Sequence, residues 1–451
     1  MPHKRSTTSI SPARQAAFDA LCRVEADEAY ASVLLAALPK SGLSRDDRAL
    51  ATEITLGVLR RQKTLDHLIE RYSGRPVDRL DLPVLVALRI GLYQLRHLSR
   101  IPPSASVNES VNLVKMARVR SAAGLVNAVL RGAATRINDS VGDGIVDPIE
   151  RLSVEVSHPR WLLERWIARF GQADAEALSA ANNQSPPQAF RINGLRERSA
   201  GVLGRLDAQG RSAQSSRYVP GARIVEGRMP PLLIEAAEEG LIYFQDEASQ
   251  LITLLLDPKP GDRVLDLCAA PGSKTSHIAS LTNNQSEIVA CDIHQHRLTT
   301  VRSTCNRLGV AGVELVALDG ESDLPFTREV KFDLVLVDAP CTGTGTLRRN
   351  PEIKWRLRPD DPGRMSKVQL ALMNGAARAL SVGGRLVYST CSIEPEENEA
   401  VIGAFLETHP QFRLVRPNAH PDLIEGSLVK TYPHRHGMDG FVAAVLERVC
   451  E

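Results

Sequence analysis

The stretch RVLDLCAAPGSKT, residues 263–275, decides the fold of the second half of the chain. Its first five residues are a short apolar run typical of a buried strand, and the small residues after them predict a tight turn into a helix. Outward from it, apolar runs alternate with helical segments, which predicts a parallel, doubly wound α/β sheet. The predicted strands are residues 263–267, 287–291, 313–317, 332–337 and 384–388. A last run, 440–446, follows no long helix, and we expect it to enter antiparallel at the end of the sheet.

The turn after the first strand lacks the glycine spacing that binds the phosphates of a dinucleotide or a nucleoside triphosphate. Gly272 is its only glycine, and it has neither the Gly-x-Gly-x-x-Gly nor the Walker spacing. Asp292 ends the second strand, where it can take both ribose hydroxyls, and Asp319 follows the third, where it can reach an adenine edge. A single aspartate is more often a helix cap or turn residue, but with Asp266 three of them lie at consecutive strand ends. A carboxylate at the second strand end without a pyrophosphate cradle predicts S-adenosylmethionine as the cofactor.

Two cysteines lie at the ends of the next two strands, Cys341 in DAPC (338–341) and Cys391 in STCS (389–392). Open α/β sheets bind ligands at the carboxyl ends of their strands, so two thiols there indicate covalent chemistry on an electrophilic ring carbon, such as that of a pyrimidine base. The other five thiols fit small buried hydrophobes; they are residues 22, 268, 291, 305 and 450. The sequence contains no Cys-x-x-Cys or His-x-x-His spacing, which predicts reduced thiols and no metal site.

The composition is that of a globular protein. Of 451 residues 43% are hydrophobic and 24% charged, and no run approaches the roughly 18 to 20 apolar residues of a membrane span. The start lacks the apolar stretch of a signal peptide, so we expect a cytoplasmic protein. Residues 1–135 hold 20 Lys and Arg against 12 Asp and Glu, a charge of +8, whereas the whole chain carries +2. This split is typical of a nucleic-acid anchor joined to a catalytic domain, although a solvated basic surface gives the same charge.

The sequence before the α/β region predicts a tail, a helical domain and a small α+β module. After a flexible tail at 1–12, apolar residues recur at three- and four-residue steps over 13–137, which predicts an all-α bundle of five to seven helices. Residues 138–235 combine a linker rich in Gly and Asp with a small α+β module, and 236–451 form the last domain. In the strand-like run 189–193 we expect Arg191 and Asn193 to be exposed, either to a ligand or to solvent on an edge strand.

Five motifs extend from the two cysteines across the last domain: CAAPGSK (268–274), DAPCTGTGT (338–346), GTLRRNPE (345–352), YSTCSIEPEENE (388–399) and GMDGF (437–441). Together they resemble the Sun (Fmu) family of RNA 5-methylcytosine methyltransferases, in its bacterial RsmB type. Ser273 departs from the pattern, since the family usually has a glycine there. In the first part, ALRIGLYQL (87–95), IPP (101–103) and VNE (107–109) resemble the NusB type of RNA-binding antitermination factor.

The resemblance implies a NusB-like helical domain followed by a Rossmann-like class I methyltransferase domain that uses S-adenosylmethionine. Lys274 then contacts the methionine carboxylate of the cofactor or only caps the turn. The implied cofactor residues are Cys268, Ala269, Ala270, Pro271, Gly272, Ser273, Lys274, Asp292, Asp319 and Asp338.

The implied chemistry explains the need for two thiols and an acid. Carbon 5 of cytosine is too weak a nucleophile to take a methyl group until a thiolate has added to carbon 6. Asp338, if protonated or hydrogen-bonded, can assist that addition at ring nitrogen 3. The resemblance assigns attack to Cys391 and release of the adduct to Cys341. The residues alone leave the reverse order open, because DNA 5-methylcytosine enzymes attack from the Pro-Cys motif.

A basic run beside Trp355 is the predicted contact to an RNA strand, with a solvated loop as the equal alternative; it contains Arg348, Arg349, Lys354 and Arg356. Exposing a cytosine face costs least in an RNA loop, so structured RNA is the expected partner. The resemblance implies cytosine 967 of 16S ribosomal RNA. Methylation of a transfer RNA cytosine and a catalytically silent ribosome-assembly or antitermination factor are the alternatives, and a monomer is the default.

Overall fold

The computed structural model describes residues 10–39, 41–322, 324–326 and 331–450. The chain divides into two units, one of Met1–Ser185 with Leu347–Leu357 and the other of Pro186–Thr346 with Arg358–Glu451. The module predicted at 138–235 is therefore shared between the units. Among the described residues, no helix has both the length and the apolar character that crossing a bilayer requires.

The first unit is built of helices, which confirms the predicted all-α bundle. Ser44 and Asp47 form a capping box at the start of its third helix, and its fifth helix is buried at every residue from Val86 to Gln94 because the sequence there is almost wholly apolar. The helices are α1 (Pro12–Ala26), α2 (Ala31–Ala36), α3 (Arg45–Arg60), α4 (Gln62–Ser73), α5 (Leu82–His97), α6 (Pro103–Met116), α7 (Ala123–Ala134), α8 (Pro148–Glu155), α9 (Arg160–Phe170) and α10 (Gln172–Asn182), with α16 (Ile353–Arg356) from the distant segment.

The second unit begins with a small antiparallel sheet in the order β2-β3-β1-β4. Two helices pack on its apolar face, where Phe190, Leu206 and Leu233 share one core. This confirms the predicted α+β module. Its elements are β1 (Gln188–Ile192), α11 (Val202–Asp207), β2 (Gln214–Ser215), β3 (Ala222–Val225), α12 (Pro231–Glu238) and β4 (Ile242–Phe244).

The expectation that Arg191 and Asn193 are exposed is wrong. Strand β1 lies between β3 and β4 and is not an edge, and the two side chains are 3% and 1% exposed. Arg191 donates to Ser276 Oγ at 2.9 Å, and Asn193 Nδ2 donates to the Leu308 carbonyl oxygen at 2.8 Å. Both therefore fasten the small sheet to the helices that follow it in the second unit.

The rest of the second unit is a large mixed sheet. Its strands are β5 (Arg263–Asp266), β6 (Glu287–Asp292), β7 (Val313–Ala317), β8 (Phe332–Asp338), β9 (Leu380–Thr390), β10 (Phe412–Val415), β11 (Ile424–Glu425), β12 (Leu428–Thr431) and β13 (Phe441–Arg448). Its helices are α13 (Glu247–Leu256), α14 (Ser273–Leu281), α15 (Gln295–Leu308), α17 (Asp361–Ala379), α18 (Glu399–Thr408) and α19 (Pro433–His436). Strands β9, β8, β5, β6 and β7 are parallel neighbours, which confirms the predicted doubly wound core.

Strand β13 pairs antiparallel with β9, as predicted. It does not lie at the end of the sheet, because β12 and β10 both pair along its other side.

The parallel strands are buried on both faces. Helices α17 and α18 share a core with Val335 and Leu386, and α13 and α14 share another with Leu336 and Val387. This two-sided burial explains the nearly continuous apolar sequence of β8 and β9.

Candidate active site

One cavity of the second unit lies at the carboxyl ends of the parallel strands. Its volume is about 350 Å³. It adjoins β5 and β8, between which the strand order reverses, and open α/β sheets bind ligands at such a point. Among its lining residues are Cys268, Ala270, Asp292, Asp319, Asp338, Cys341 and Cys391. The remaining residues of the predicted cofactor loop are not among those that line this cavity in the described part of the chain; they are Ala269, Pro271, Gly272, Ser273 and Lys274.

The turn after β5 contacts strand β6 and helix α15 through its backbone. The Ala269 N–H donates to the Cys291 carbonyl oxygen at 2.7 Å, which ties the turn to β6. Gly272 has a φ of 93°, and a Cβ atom on it would lie 3.2 Å from Val301 Cα in α15. Glycine therefore serves here both for its left-handed backbone and for close packing. Ser273, at the departure from the family pattern, is the first residue of α14.

Lys274 forms a buried ion pair that the sequence did not suggest. Its Nζ lies 2.5 Å from Asp338 Oδ2 and donates to Ser249 Oγ at 3.1 Å. The second carboxylate oxygen of Asp338 accepts a hydrogen bond from Ser389 Oγ at 2.7 Å. Because both oxygens have fixed donors, Asp338 is held at the end of β8 in a single orientation at the cavity wall.

The three strand-end aspartates differ in what they contact. Asp266 is buried and accepts from Thr275 Oγ1 at 2.6 Å, and burial raises its pKa to about 6. It is not among the residues that line the cavity in the described chain. Asp292 lines the cavity at the end of β6 and pairs with Arg297 at 3.2 Å. Asp319 is exposed and accepts from the Glu321 N–H at 3.0 Å, as a turn residue does.

The two predicted catalytic cysteines are in direct contact. Cys341 Sγ and Cys391 Sγ lie 3.2 Å apart as free thiols. The hydrogen bond with Cys391, followed by burial, raises the pKa of Cys341 well above its usual range. Either sulfur atom can be the donor in this contact.

This geometry agrees with comparisons against known proteins. The protein family described as "16S rRNA methyltransferase RsmB/F" matches residues 253–447 of this chain. The NusB family matches residues 11–135, and the family of RsmF/B-like ferredoxin-like domains matches residues 158–230. A protein of Bacillus subtilis (strain 168), "Probable ribosomal RNA small subunit methyltransferase B", is 33% identical over 95% of this chain and 97% of its own length. The chain belongs to the RsmB/F family of 16S rRNA methyltransferases.

Further relatives of this methyltransferase cover its whole length. The protein of the same name from Synechocystis sp. (strain ATCC 27184 / PCC 6803 / Kazusa) is 34% identical over 97% of this chain and 99% of its own. The crystal structure of PH0851 superposes with a TM-score of 0.83 at 30% identity, covering 97% of this chain and 99% of that one. These matches confirm the Sun family resemblance, the NusB-like front domain and the enzyme class.

Most side chains of the basic run that was predicted to contact RNA are wholly or partly buried within the first unit of the methyltransferase. Lys354 is 1% exposed, and its Nζ donates to the Arg60 carbonyl oxygen at 2.9 Å and to Asn183 Oδ1 at 3.2 Å. Arg356 Nη2 donates to the carbonyl oxygens of residues 24 and 29. Arg348 is 4% exposed and Arg349 half-buried. As a contact to an RNA strand, the prediction is wrong for the buried Arg348 and Lys354, since their side chains do not reach the surface.

Sequence reasoning missed Glu397 in the methyltransferase site. It lies six residues after Cys391 and is fully buried, and its carboxylate binds groups next to both cysteines. The acidic run that follows Cys391 was the available signal. Asn398, its neighbour, donates to the Ser392 carbonyl oxygen at 3.0 Å, so this run folds back against the Cys391 loop.

Proposed function

We propose that this enzyme transfers a methyl group from S-adenosylmethionine to carbon 5 of a cytosine in 16S ribosomal RNA, through a covalent bond between Cys391 and carbon 6 of the base. The observation that carries the proposal is the 3.2 Å contact between the sulfur atoms of Cys341 and Cys391. Both thiols line the same cavity as Asp292 and Asp338, so a methyl donor and a target base fit beside one pair of nucleophiles.

The residues at the strand ends fit S-adenosylmethionine, which supplies an electrophilic methyl group when bound. Asp292 presents a carboxylate at the end of β6, where ribose hydroxyls can donate to it. From the loop after β5, Cys268 and Ala270 line the same cavity, and the loop is held there by the close packing of Gly272 against α15. Asp319 lines the same cavity and is proposed to meet the adenine edge.

The reacting base meets the thiols on one side and the Lys274–Asp338 pair on the other. Addition of the Cys391 thiolate to carbon 6 places negative charge on the ring, and a donor at nitrogen 3 stabilises it. Asp338 serves there as a relay: the Lys274 ammonium group, 2.5 Å from Oδ2, gives a proton to the carboxylate as the carboxyl group gives one to nitrogen 3, and Lys274 is left neutral. After methyl transfer, a base removes the proton from carbon 5, the ring double bond re-forms and the Cys391 thiolate leaves carbon 6. Cys341 assists this departure, which its contact with the Cys391 sulfur allows.

The target we propose is the cytosine implied by the family resemblance, cytosine 967. Two of the relatives compared above carry the name ribosomal RNA small subunit methyltransferase B, which supports small-subunit RNA over transfer RNA. A base in a loop or junction costs least to extrude, because it is not held in a stacked pair.

The test is methyl transfer by the full chain. Wild-type protein is incubated with labelled S-adenosylmethionine and unmodified small-subunit RNA, and 5-methylcytosine is then located by sequencing. We expect label at a single cytosine and none with Cys391→Ser. Absence of transfer under conditions where the RNA is bound would overturn the proposal, and label at another cytosine or in transfer RNA alone would overturn the assigned target.

A further inference from the structure

Four hydrogen bonds converge on the buried carboxylate of Glu397. The Thr342 N–H donates to Oε2 at 2.8 Å, and Gln369 Nε2 donates to the same oxygen at 2.9 Å. The hydroxyl groups of Thr342 and Ser392 both donate to Oε1. A backbone N–H and an amide NH₂ can only donate, so Oε2 is an acceptor in both of its hydrogen bonds. Burial raises the pKa of Glu397, and the hydrogen bonds from Ser392, Thr342 and Gln369 oppose that shift because they favour the ionised form.

The residues that Glu397 binds are the immediate neighbours of the two reactive cysteines. Thr342 follows Cys341 and Ser392 follows Cys391, and the two hydroxyl oxygens lie 3.1 Å apart. One carboxylate thus joins the loop after β8 to the loop after β9. Removing it would leave several buried donors without an acceptor, and the loops would relax to regain partners.

A second contact between the loops shows how closely they are fitted. The Gly345 N–H donates to the Cys391 carbonyl oxygen at 2.9 Å. A Cβ atom on Gly345 would lie 2.8 Å from that oxygen and closer still to the Gly440 carbonyl. The loops are therefore joined at two points, by this backbone contact and by the Glu397 carboxylate.

The charge of Glu397 acts on the Cys341 thiol. After the hydrogen bond with Cys391 and burial, the carboxylate is one of the charges that raise the pKa of Cys341. A nearby negative charge disfavours a thiolate. This effect favours the protonated form of Cys341.

We propose that Glu397 is a positioning residue which joins the two cysteine loops through Thr342 and Ser392 and places its carboxylate beside Cys341 and not beside the base. This inference rests on the proposed function and deepens it, because it names a residue that positions the loops of both thiols. Glu397 itself does not touch the base.

The charge effect is tested without RNA or cofactor. In a Cys391→Ala background, the pH dependence of Cys341 alkylation by iodoacetamide is followed by mass mapping, with and without Glu397→Gln. We expect the midpoint to fall by about one pH unit when the charge is removed. An unchanged midpoint overturns the charge role. Since alkylation requires no methyl transfer, this result is independent of whether the proposed function holds.

The positioning effect is tested by kinetics on the full enzyme. Thr342→Val removes one hydroxyl donor while the Thr342 N–H and the Glu397 charge stay, so it remains informative if Glu397→Gln does not fold. We expect kcat to fall about tenfold with KM for RNA and for S-adenosylmethionine within about twofold, since only reacting geometry changes. Glu407→Gln, in the exposed part of α18, is the matched control and should behave as wild type. A kcat for Thr342→Val equal to wild type overturns the positioning role.

Discussion

Lys274 Nζ and Asp338 Oδ2 lie 2.5 Å apart and join the first turn of α14 to the end of β8. Lys274 is 6% exposed and the side chain of Asp338 is 25% exposed, so a neutral replacement removes a buried cation from a half-buried carboxylate at the cavity wall. Such a loss is far more damaging than loss of a surface ion pair. In the proposed mechanism, proton donation to the base also depends on this contact.

Lys274→Met should therefore lower kcat for RNA methylation roughly 100-fold, the usual contribution of a placed proton donor. The dissociation constant for S-adenosylmethionine, measured by calorimetry, should stay within about threefold, because Lys274 contacts protein groups. Lys259→Met, which breaks an exposed ion pair with Asp257, is the control. A large loss of cofactor affinity with unchanged kcat would instead make Lys274 a ligand of the methionine carboxylate.

Cys341→Ala should leave enzyme covalently attached to RNA. Cys391 can still add to carbon 6, but its adduct loses the neighbouring thiol that assists release. The attached species is measured as a slowly migrating band on a denaturing gel after incubation with RNA and cofactor. Cys450→Ala, at an exposed cysteine, should give none. A stuck complex with Cys391→Ala in place of Cys341→Ala would reverse the two roles.

The sequence predicted the parts of the site that depend on local pattern. Strand ends can be read from apolar runs, and Asp292, Asp338, Cys341 and Cys391 follow such runs directly, so their meeting at one cavity was foreseeable. The features that the sequence did not reveal depend on pairing between strands that are far apart along the chain. Whether β1 is an edge strand is decided by β3 and β4, which lie at least 30 residues further along, and its local alternation therefore misled the interpretation of Arg191.

The second wrong prediction, the contact to RNA, came from the local pattern of basic residues. The basic residues around Lys354 read locally as a surface for RNA, yet their partners are carbonyl groups about 300 residues earlier in the chain. Glu397 was missed for the same reason, since three of its four donors belong to Thr342 and Gln369. A carboxylate that collects buried donors cannot be told from a solvated one without the fold.

The contact between Cys341 and Cys391 should make the enzyme sensitive to oxidation. Hydrogen peroxide would take two electrons and two protons from the thiols, leaving a disulfide and water, and both nucleophiles would be blocked. We expect methylation to fall as a peptide linked through 341 and 391 appears in mass mapping, and both to reverse with dithiothreitol. Oxidation of the exposed Cys450 without the linked peptide would contradict this.

Asp266 should make stability fall as the pH rises. Burial raises its folded pKa to about 6 from an ordinary value of 3.8, so the folded protein binds the proton more tightly than the unfolded chain. The stabilisation is complete below the ordinary value and is lost as the pH passes the folded one. Asp266→Asn removes the titrating group, and its Tm relative to wild type should be higher at about pH 7.5 than at about pH 4.5.

Scanning calorimetry at both pH values measures this difference for wild type and variant. Asp207→Asn, at an exposed aspartate of α11, should change Tm equally little at both. If the gap between Asp266→Asn and wild type is the same at both pH values, Asp266 is not the group that titrates in this range.

Lys354 should matter for folding of the first unit and not for RNA affinity. Lys354→Ala leaves the Arg60 carbonyl oxygen and Asn183 Oδ1 without their donor, which costs about 1–3 kcal/mol for each buried group left unpaired. We expect a lower Tm and an unchanged dependence of RNA binding on salt. Arg358→Ala, at an exposed arginine four residues after Lys354, should keep the wild-type Tm. A phosphate contact would give the opposite result, with an unchanged Tm and a salt slope smaller by about one.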